Sequence, residues 1–467
     1  MKPPKTFTEL INRAYDIIGV PLRLIDNNER LLSGKGGIGQ MIEESWFGQK
    51  PHNDPSPDFK NLGVELKVTP FVIRKNKTYR SKERLVGNMI NYMEEYKNDK
   101  FETSSFYLKN NTVLLMFYEH ILDKSKGDYN ISYVKLVTMS EAKKHINNNV
   151  FLIPEEDIEI MRQDYEKIIT KIRMGKAHEI SEGDTNYLGA CTKSADSSIR
   201  VDQPFSDIKA KPRAFALKQS YMSYILNNYV ITPCELEQLI SNKNELKKKN
   251  FEDIVISKFE QYYGKTDVEL ANLFEINSKN KGFRSNIISA ILGIEGNANE
   301  TEEFQKAGIL AKTIRVEESG RIKESMSFPS INFLDLVKES WEESKIYEQI
   351  GLSKFMFVIF VKSGHDYIFK KVVFWNISEK DLDEVQKVWQ RTKTIVGDNK
   401  IQLGGKYGFS VLNFPKSKEN RVAHVRPHDQ NAKIGRSLLP NGDKIMNYCF
   451  WLNRDYIMEI IQTFLNT

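Results

Sequence analysis

The run Pro57-Asp58-Phe59-Lys60-Asn61-Leu62-Gly63-Val64-Glu65-Leu66-Lys67-Val68-Thr69-Pro70 constrains this chain more than any other stretch. Its apolar residues alternate at Val64, Leu66 and Val68, the period of a strand, so Glu65 and Lys67 share the opposite face. Asp58 falls at the mouth of the preceding turn. Two carboxylates and an ammonium converge in this way where a metal-dependent phosphodiesterase needs them. Asp58 and Glu65 are candidate oxygen ligands for a hydrated Mg²⁺, and Lys67 a candidate to orient the attacking water and offset charge on the phosphate. The spacing alone arises by chance about one time in ten in a Lys- and Glu-rich chain of this length. The competing reading is an amphipathic edge strand with a solvated charged face.

With 467 residues the chain exceeds one ordinary core and calls for two or three domains. No apolar run reaches membrane-spanning length, and the N-terminal "MKPPKTFTELINRAYDIIG" lacks the apolar region and cleavage signal of a secretory leader, which predicts a cytoplasmic protein. Cys191, Cys234 and Cys449 are scattered and form no Cys-x-x-Cys pair, in keeping with a reducing compartment and against structural zinc. The formal charge of +6 favours a polyanionic partner only slightly.

Helical periodicity covers residues 6 to 19, and a second helix is expected from about 38 to 47. Gly34-Lys35-Gly36-Gly37-Ile38-Gly39 satisfies the dinucleotide fingerprint formally, but no strand–helix–strand unit surrounds it. Amides at a helix start suit a DNA phosphate equally well. "KNKTYRSKERLVGNMINYMEEY" reads as a basic turn and hairpin arm, "TVLLMFYEHI" as a fully buried strand, and residues 155 to 175 as a surface helix. From Gly183 to Tyr224, Lys193, Arg200, Lys209, Lys211, Arg213 and Lys218 interleave with Tyr187, Phe205, Phe215 and Tyr221. Basic and aromatic residues at that density suit phosphate pairing and base reading, and Lys193, Arg213, Lys218 and Tyr221 are the candidate DNA contacts.

The segments "GKGGIGQMIEESWFG", "PDFKNLGVELKVTP" and "FETSSFYLKNNTVLLMF", in that order and spacing, resemble three blocks of the MutH-like endonucleases. That family holds the mismatch-repair nicking enzyme and the type II restriction enzymes that cut at GATC. "YLGACTKSADSS" and "KPRAFALKQSYM" resemble its DNA-reading segments, so the likeness runs through most of residues 1 to 232. The resemblance implies an α/β (α+β) fold of mixed sheets flanked by helices and Mg²⁺-dependent cleavage of duplex DNA. By the family's pattern of an acid two residues before the tryptophan of "SWFG", it marks Glu44 as the helix-borne catalytic and metal-binding acid, with Glu43 a solvated neighbour. It also marks Lys109 as an active-site lysine. Lys193 matches a DNA-contacting lysine, and Lys218 follows the Phe-x-Leu-Lys pattern. One departure is Cys191, where the repair enzyme has an arginine two residues before that lysine.

Length separates the family's members: the repair enzyme is a single domain, and the GATC-cutting restriction enzymes are about twice as long and duplicated. This chain resembles the latter. "EEFQKAGILAKTIRV" echoes "PDFKNLGVELKVTPF", "GFRSNIISAILG" echoes "GIGQMIEESWFG", and "CFWLNRDYI" echoes "AFALKQSYM". Leu310 stands at the place of Glu65, Ser289 at that of Glu44 and Glu303 at that of Asp58, whereas Lys312 keeps its type. A copy without those carboxylates cannot hold the metal. "HVRPHDQNAKIGR" keeps the DNA-reading pattern, with Arg426 flanked by His424 and His428. The expected organisation is a catalytic domain over 1–240 and a degenerate, DNA-binding or regulatory domain over 250–467. The basic run 241–250 would divide them. GATC duplex DNA, DNA-induced self-association and a cognate methyltransferase as genetic partner are what the resemblance implies, with a nicking enzyme or a non-cutting DNA-binding regulator as alternatives.

Overall fold

The computed structural model describes residues 2–32, 37–52, 54–74, 77–143, 150–193, 198–232, 236–240, 242–323, 325–428 and 436–466. They fall into two units: Met1–Phe251 with Thr301–Gly308, and Glu252–Glu300 with Ile309–Thr467. Gly34, Lys35 and Gly36 of the fingerprint, and Cys234, lie outside the described residues.

In the first unit a mixed sheet runs in the order β2-β1-β4-β5-β6. Its strands are β1 (Glu65–Ile73), β2 (Tyr79–Ser81), β4 (Thr112–Glu119), β5 (Ile131–Thr138) and β6 (Val150–Leu152). The apolar run of β4 is buried over its first six residues, as a central strand requires. β1 lies parallel to β4, with Glu65 opposite Val113 and Lys67 opposite Leu115. β2 covers β1 only from Phe71 to Ile73, so the end that carries Glu65 has β4 as its one ladder partner. Leu66 and Val64 pack with Leu114 and Met116 under the helix Phe7–Asp16, through Leu10, Ile11 and Ala14. Thr6 caps that helix by accepting from Glu9 N–H, and Gly19, at φ 79°, turns the chain after it.

A second, antiparallel sheet has the order β3-β10-β7, from β3 (Leu85–Met89), β7 (Leu188–Thr192) and β10 (Arg213–Leu217). A hairpin of β8 (Val201–Gln203) and β9 (Ser206–Ala210) lies between β7 and β10 in sequence. The helix Glu155–Arg173 was expected at the surface, but it is packed on most of its circumference. Its acids Asp157 and Asp164 are buried, because each finds internal donors. Asp164 accepts from the backbone N–H groups of Asn186, Tyr187 and Leu188 at 2.7, 2.6 and 2.9 Å, which pins the start of β7.

The polar run 241–250, expected between the copies, belongs to the first unit, since Leu246 is buried there and Gln163 donates to the Leu246 and Lys249 carbonyls. The first unit also takes in the short helix Glu302–Ala307. Lys306, 1% exposed, donates to both Asp157 oxygens at 2.8 Å and to Glu302 at 2.5 Å. Glu303 accepts from the Leu239 and Ile240 N–H groups. Burial opposes the Lys306 charge, but Asp157 and Glu302 outweigh it and hold the pKa above the ordinary lysine value.

The second unit repeats the plan. β11 (Ile309–Val316) is parallel to β13 (Lys354–Ser363), which pairs antiparallel with β14 (Asp366–Trp375). β12 (Met326–Ser330), β20 (Tyr448–Leu452) and β17 (Ala423–Pro427) form the antiparallel sheet β12-β20-β17. Two small ladders, β15 with β16 (Leu403–Gly404, Ser410–Val411) and β18 with β19 (Ser437–Leu438, Lys444–Ile445), complete it. The helix Glu379–Gly397 has the same 19-residue length as Glu155–Arg173.

Lys306→Ala leaves Asp157 and Glu302 buried without a counter-charge and should destabilise the first unit by about 3–5 kcal/mol. Asp157→Asn in the same chain should recover part of the loss, as read from the first unit's denaturation midpoint.

Candidate active site

The turn before β1 is built to present Asp58. Phe59 N–H donates to the Val64 carbonyl at 2.9 Å, and the Phe59 ring is buried edge-on against Phe47. Gly63 closes the turn at φ 60°, a conformation that favours glycine. Asp58 Oδ2 then accepts from Leu66 N–H at 2.9 Å, and Glu65 Oε2 accepts from Asp58 N–H at 3.2 Å. The two carboxylates are interlocked through the backbone.

Glu65 is 2% exposed, which excludes a solvated charged face for this strand. Lys67 Nζ lies 2.8 Å from Glu65 Oε1, as the shared strand face predicts. Lys109, in the last turn of the helix Ser105–Asn110, brings its Nζ to 3.6 Å from the same oxygen. Burial pushes the Glu65 carboxyl up, with Lys67 pulling down and Asp58 adding to the rise. The structure thus gathers Asp58, Glu65, Lys67 and Lys109.

Glu44 is not among them. Its two oxygens take Arg30 Nε and Nη2 at 2.8 and 2.6 Å, and that pairing holds its carboxyl below the usual range. Glu43 is the acid that faces the site. Burial first, then the charges of Asp58 and Glu65, push its pKa up to about 8. The reason is local: the helix Gly37–Met41 continues as a π-helical turn, Ile42–Trp46. A π turn holds one more residue than an α turn, so counting two residues back from Trp46 stops one short, at Glu44 instead of Glu43. Only the backbone geometry reveals that extra residue.

Among the described residues no three acidic, histidine or cysteine side chains are gathered closely enough to hold an ion as they stand. The donor set nonetheless fits a divalent cation. Glu43 Oε1 is buried with no hydrogen-bond partner, and the charges of Asp58 and Glu65 oppose its ionisation, a repulsion that a divalent cation would relieve. Asp58, Glu65 and Glu43 carry the hard oxygens that such an ion would take.

Of the candidate DNA contacts, Lys193 is exposed at the end of β7. Lys218 is half-buried and donates to the Thr185 carbonyl. Arg213 and Tyr221 are interior instead. Arg213 is 2% exposed and donates to the Ala190 carbonyl at 2.7 Å, and Tyr221, fully buried, donates to Asp157 Oδ2 at 2.9 Å. In the second unit Arg426 is exposed, its guanidinium 3.8 Å from the centroid of the Trp451 ring. His428 is exposed beside the same ring, but His424 is buried, its Nδ1 against Asn453 Oδ1 at 2.5 Å. Burial lowers the His424 pKa, so it is a neutral support for Trp451 and not a DNA cation. The remainder of "VRPHDQNA", from Asp429, lies outside the described residues.

In the second unit Leu310 stands opposite Phe355 as Glu65 stands opposite Val113. Ser289 is buried in a helix that runs from Phe283 to Leu292. Glu303 belongs to the first unit's packing, and Lys312 is left with burial pulling its pKa down. In this copy Leu310 and Ser289 have replaced two of the carboxylates, and Glu303, at the place of Asp58, is taken up by the Leu239 and Ile240 N–H groups.

A sheet-borne acid–acid–lysine set with a helix-borne acid is the arrangement of a metal-dependent nuclease, and the chain belongs to the MutH-like endonuclease family. The family model described as "DNA mismatch repair enzyme MutH" matches it twice, over residues 47–149 and 292–387, one match in each copy. The chain is 36% identical to the type II restriction enzyme Sau3AI of Staphylococcus aureus, over 97% of this chain and 98% of that one. It is 29% identical to the DNA mismatch repair protein MutH of Shewanella woodyi and 27% to that of Shewanella putrefaciens, in each case over 48% of this chain.

Glu43→Gln should lower metal-dependent cleavage by about 100-fold or more, and Glu44→Gln should retain most of it, because only the Arg30 pair is lost. Single-turnover cleavage of both variants checks the assignment, and the reverse ranking would restore Glu44.

Proposed function

We propose that this chain is a type II restriction endonuclease that hydrolyses both strands of duplex DNA at GATC, ahead of the G, with Mg²⁺ as cofactor. The observation that carries the reading is the pairing of one acid–acid–lysine site with a second copy of the fold in which Leu310 replaces the buried strand acid, in a chain similar over nearly its whole length to a restriction enzyme. A single-domain repair enzyme has no counterpart of the second unit.

Asp58, Glu65 and Glu43 would hold the metal. When bound, it supplies Lewis-acid polarisation of the scissile phosphate and lowers the pKa of a water. Lys67, beside Glu65, orients the attacking water and opposes the negative charge that grows on the phosphate. Lys109 adds a second positive charge to the same end of the strand. Glu44 acts indirectly, by fixing Arg30 against the π turn. Lys193 and Lys218 grip DNA in the first unit, and Arg426 and His428 in the second. The products carry 5′-phosphate and 3′-hydroxyl ends. In its host the enzyme works in the cytoplasm, beside a DNA methyltransferase that protects the same site.

A palindromic site is cut by two centres related by its two-fold axis, and each chain has one competent centre. Two chains therefore pair on DNA, with the second unit gripping another GATC as an effector.

Plasmid of known sequence should be cut at every GATC with Mg²⁺ and left supercoiled without metal. Nicked circles as the end product would favour the repair-type reading, and uncut plasmid a non-cutting regulator. Two-site plasmids should be cut several-fold faster than one-site plasmids, and Arg426→Ala should abolish that difference. Equal rates in both enzymes would reduce the second unit to a scaffold.

A further inference from the structure

The DNA-reading sheets of the two units carry different chemistry at one equivalent position. In the second unit Arg426 on β17 stands opposite Cys449 on β20, and its guanidinium is spread over Trp451. In the first unit the strands pair in the same register, and Cys191 on β7 stands opposite Ala214 on β10. Phe215 and Phe450, equivalent in sequence, face Ala190 and Val425, which places Cys191 where Arg426 stands. Cys191 is 3% exposed and packs with Ala214, Ala216 and Val86. A buried thiol on a floor of methyl groups offers no fork to a base edge.

A guanidinium nevertheless stands beside that floor. Arg84 precedes Val86 by two residues in the turn that leads into β3, so alternation sets it on the face that carries Cys191 and Ala216. Its partner is Glu182, in the short turn just before β7, and the two side chains are 25% and 24% exposed. The turn holding Glu182 is itself fixed, with Ser181 and Asp184 capping each other and Lys171 donating to Asp184. Burial raises the Cys191 thiol pKa, and the charge that most opposes this rise is that of Arg84.

We propose that Arg84 is a specificity-determining residue of the catalytic unit: it supplies, from the β3 turn, the base-reading guanidinium that Cys191 cannot. Glu182 holds the guanidinium extended over the sheet while DNA is absent, and a guanine edge, with two acceptors spaced for the same planar fork, takes the place of the carboxylate on binding. The exchange swaps the Glu182 carboxylate, met through Arg84 Nη1, for the base edge, so Arg84 need not be desolvated without a partner. The proposal rests on the reading of the first unit as a GATC endonuclease.

Single-turnover cleavage by the full chain decides it, with Mg²⁺, on a duplex holding one GATC and on duplexes with each base pair of the site replaced in turn. Each comparison is repeated in the Arg426→Ala background, which removes the second unit's effect on cleavage, so that the ratio reports the first unit. Arg84→Ala should lose about ten- to a hundred-fold of the preference for GATC at one position and keep it at the others. Arg84→Lys, with the charge kept and the fork removed, should lose most of the same preference, and melting temperatures near wild type would show both variants folded. A uniform slowing on all duplexes would make Arg84 a phosphate contact and overturn the proposal. Unchanged ratios, or full preference in Arg84→Lys, would overturn it too. A wild-type enzyme with no preference for GATC would instead remove the underlying reading.

Discussion

A carboxylate placed in the interior needs partners before the chain can fold around it, and Glu65 is that carboxylate here. It is compensated on three sides, by Lys67 two residues on, by Lys109 from the helix before β4, and by the Asp58 N–H in the preceding turn. Each partner comes from a different element, so satisfying Glu65 sets the turn, the strand and the parallel neighbour in one geometry. The same grouping leaves Glu43 with a raised pKa and an unpartnered oxygen. That surplus of buried acid costs stability, which a bound cation would offset.

In the second unit that requirement is lifted. With Leu310 in place of the buried acid, β11 still pairs in parallel with β13 and the neighbouring sheet keeps its order. The helix Glu302–Ala307, in sequence the counterpart of the catalytic turn, belongs to the first unit, where Lys306 neutralises Asp157 and Glu302. Glu303, in sequence the counterpart of Asp58, is held there by the Leu239 and Ile240 N–H groups. Tyr221 and Asp164 are likewise interior, Tyr221 donating to Asp157 and Asp164 accepting from the Tyr187 N–H at the start of β7.

The sequence by itself determined the strand that carries Glu65 and Lys67, the turn that presents Asp58, the place of Lys109, and the doubling of the fold with one copy stripped of its acids. The strand and the turn depend on residue type at short spacing, where strand alternation and a glycine turn leave few options, whereas Lys109 rests on the family resemblance and the doubling on segments of the first half echoed in the second. Lys193 and Arg426 rest on that resemblance too, and both are exposed. Only the tertiary structure decided which of two adjacent glutamates enters the site, because a π turn rotates the helix by one residue and Glu44 finds Arg30 in the short turn Arg30–Leu32 that precedes it. Only it turned Arg213, Tyr221 and His424 inward, since a basic or aromatic residue in a run gives no sign of its depth, and depth depends on donors and acceptors brought by elements far apart in the chain. Arg84 became visible by the same route: β3, β7 and β10 are distant in sequence, and their register is what sets a guanidinium beside the thiol of Cys191.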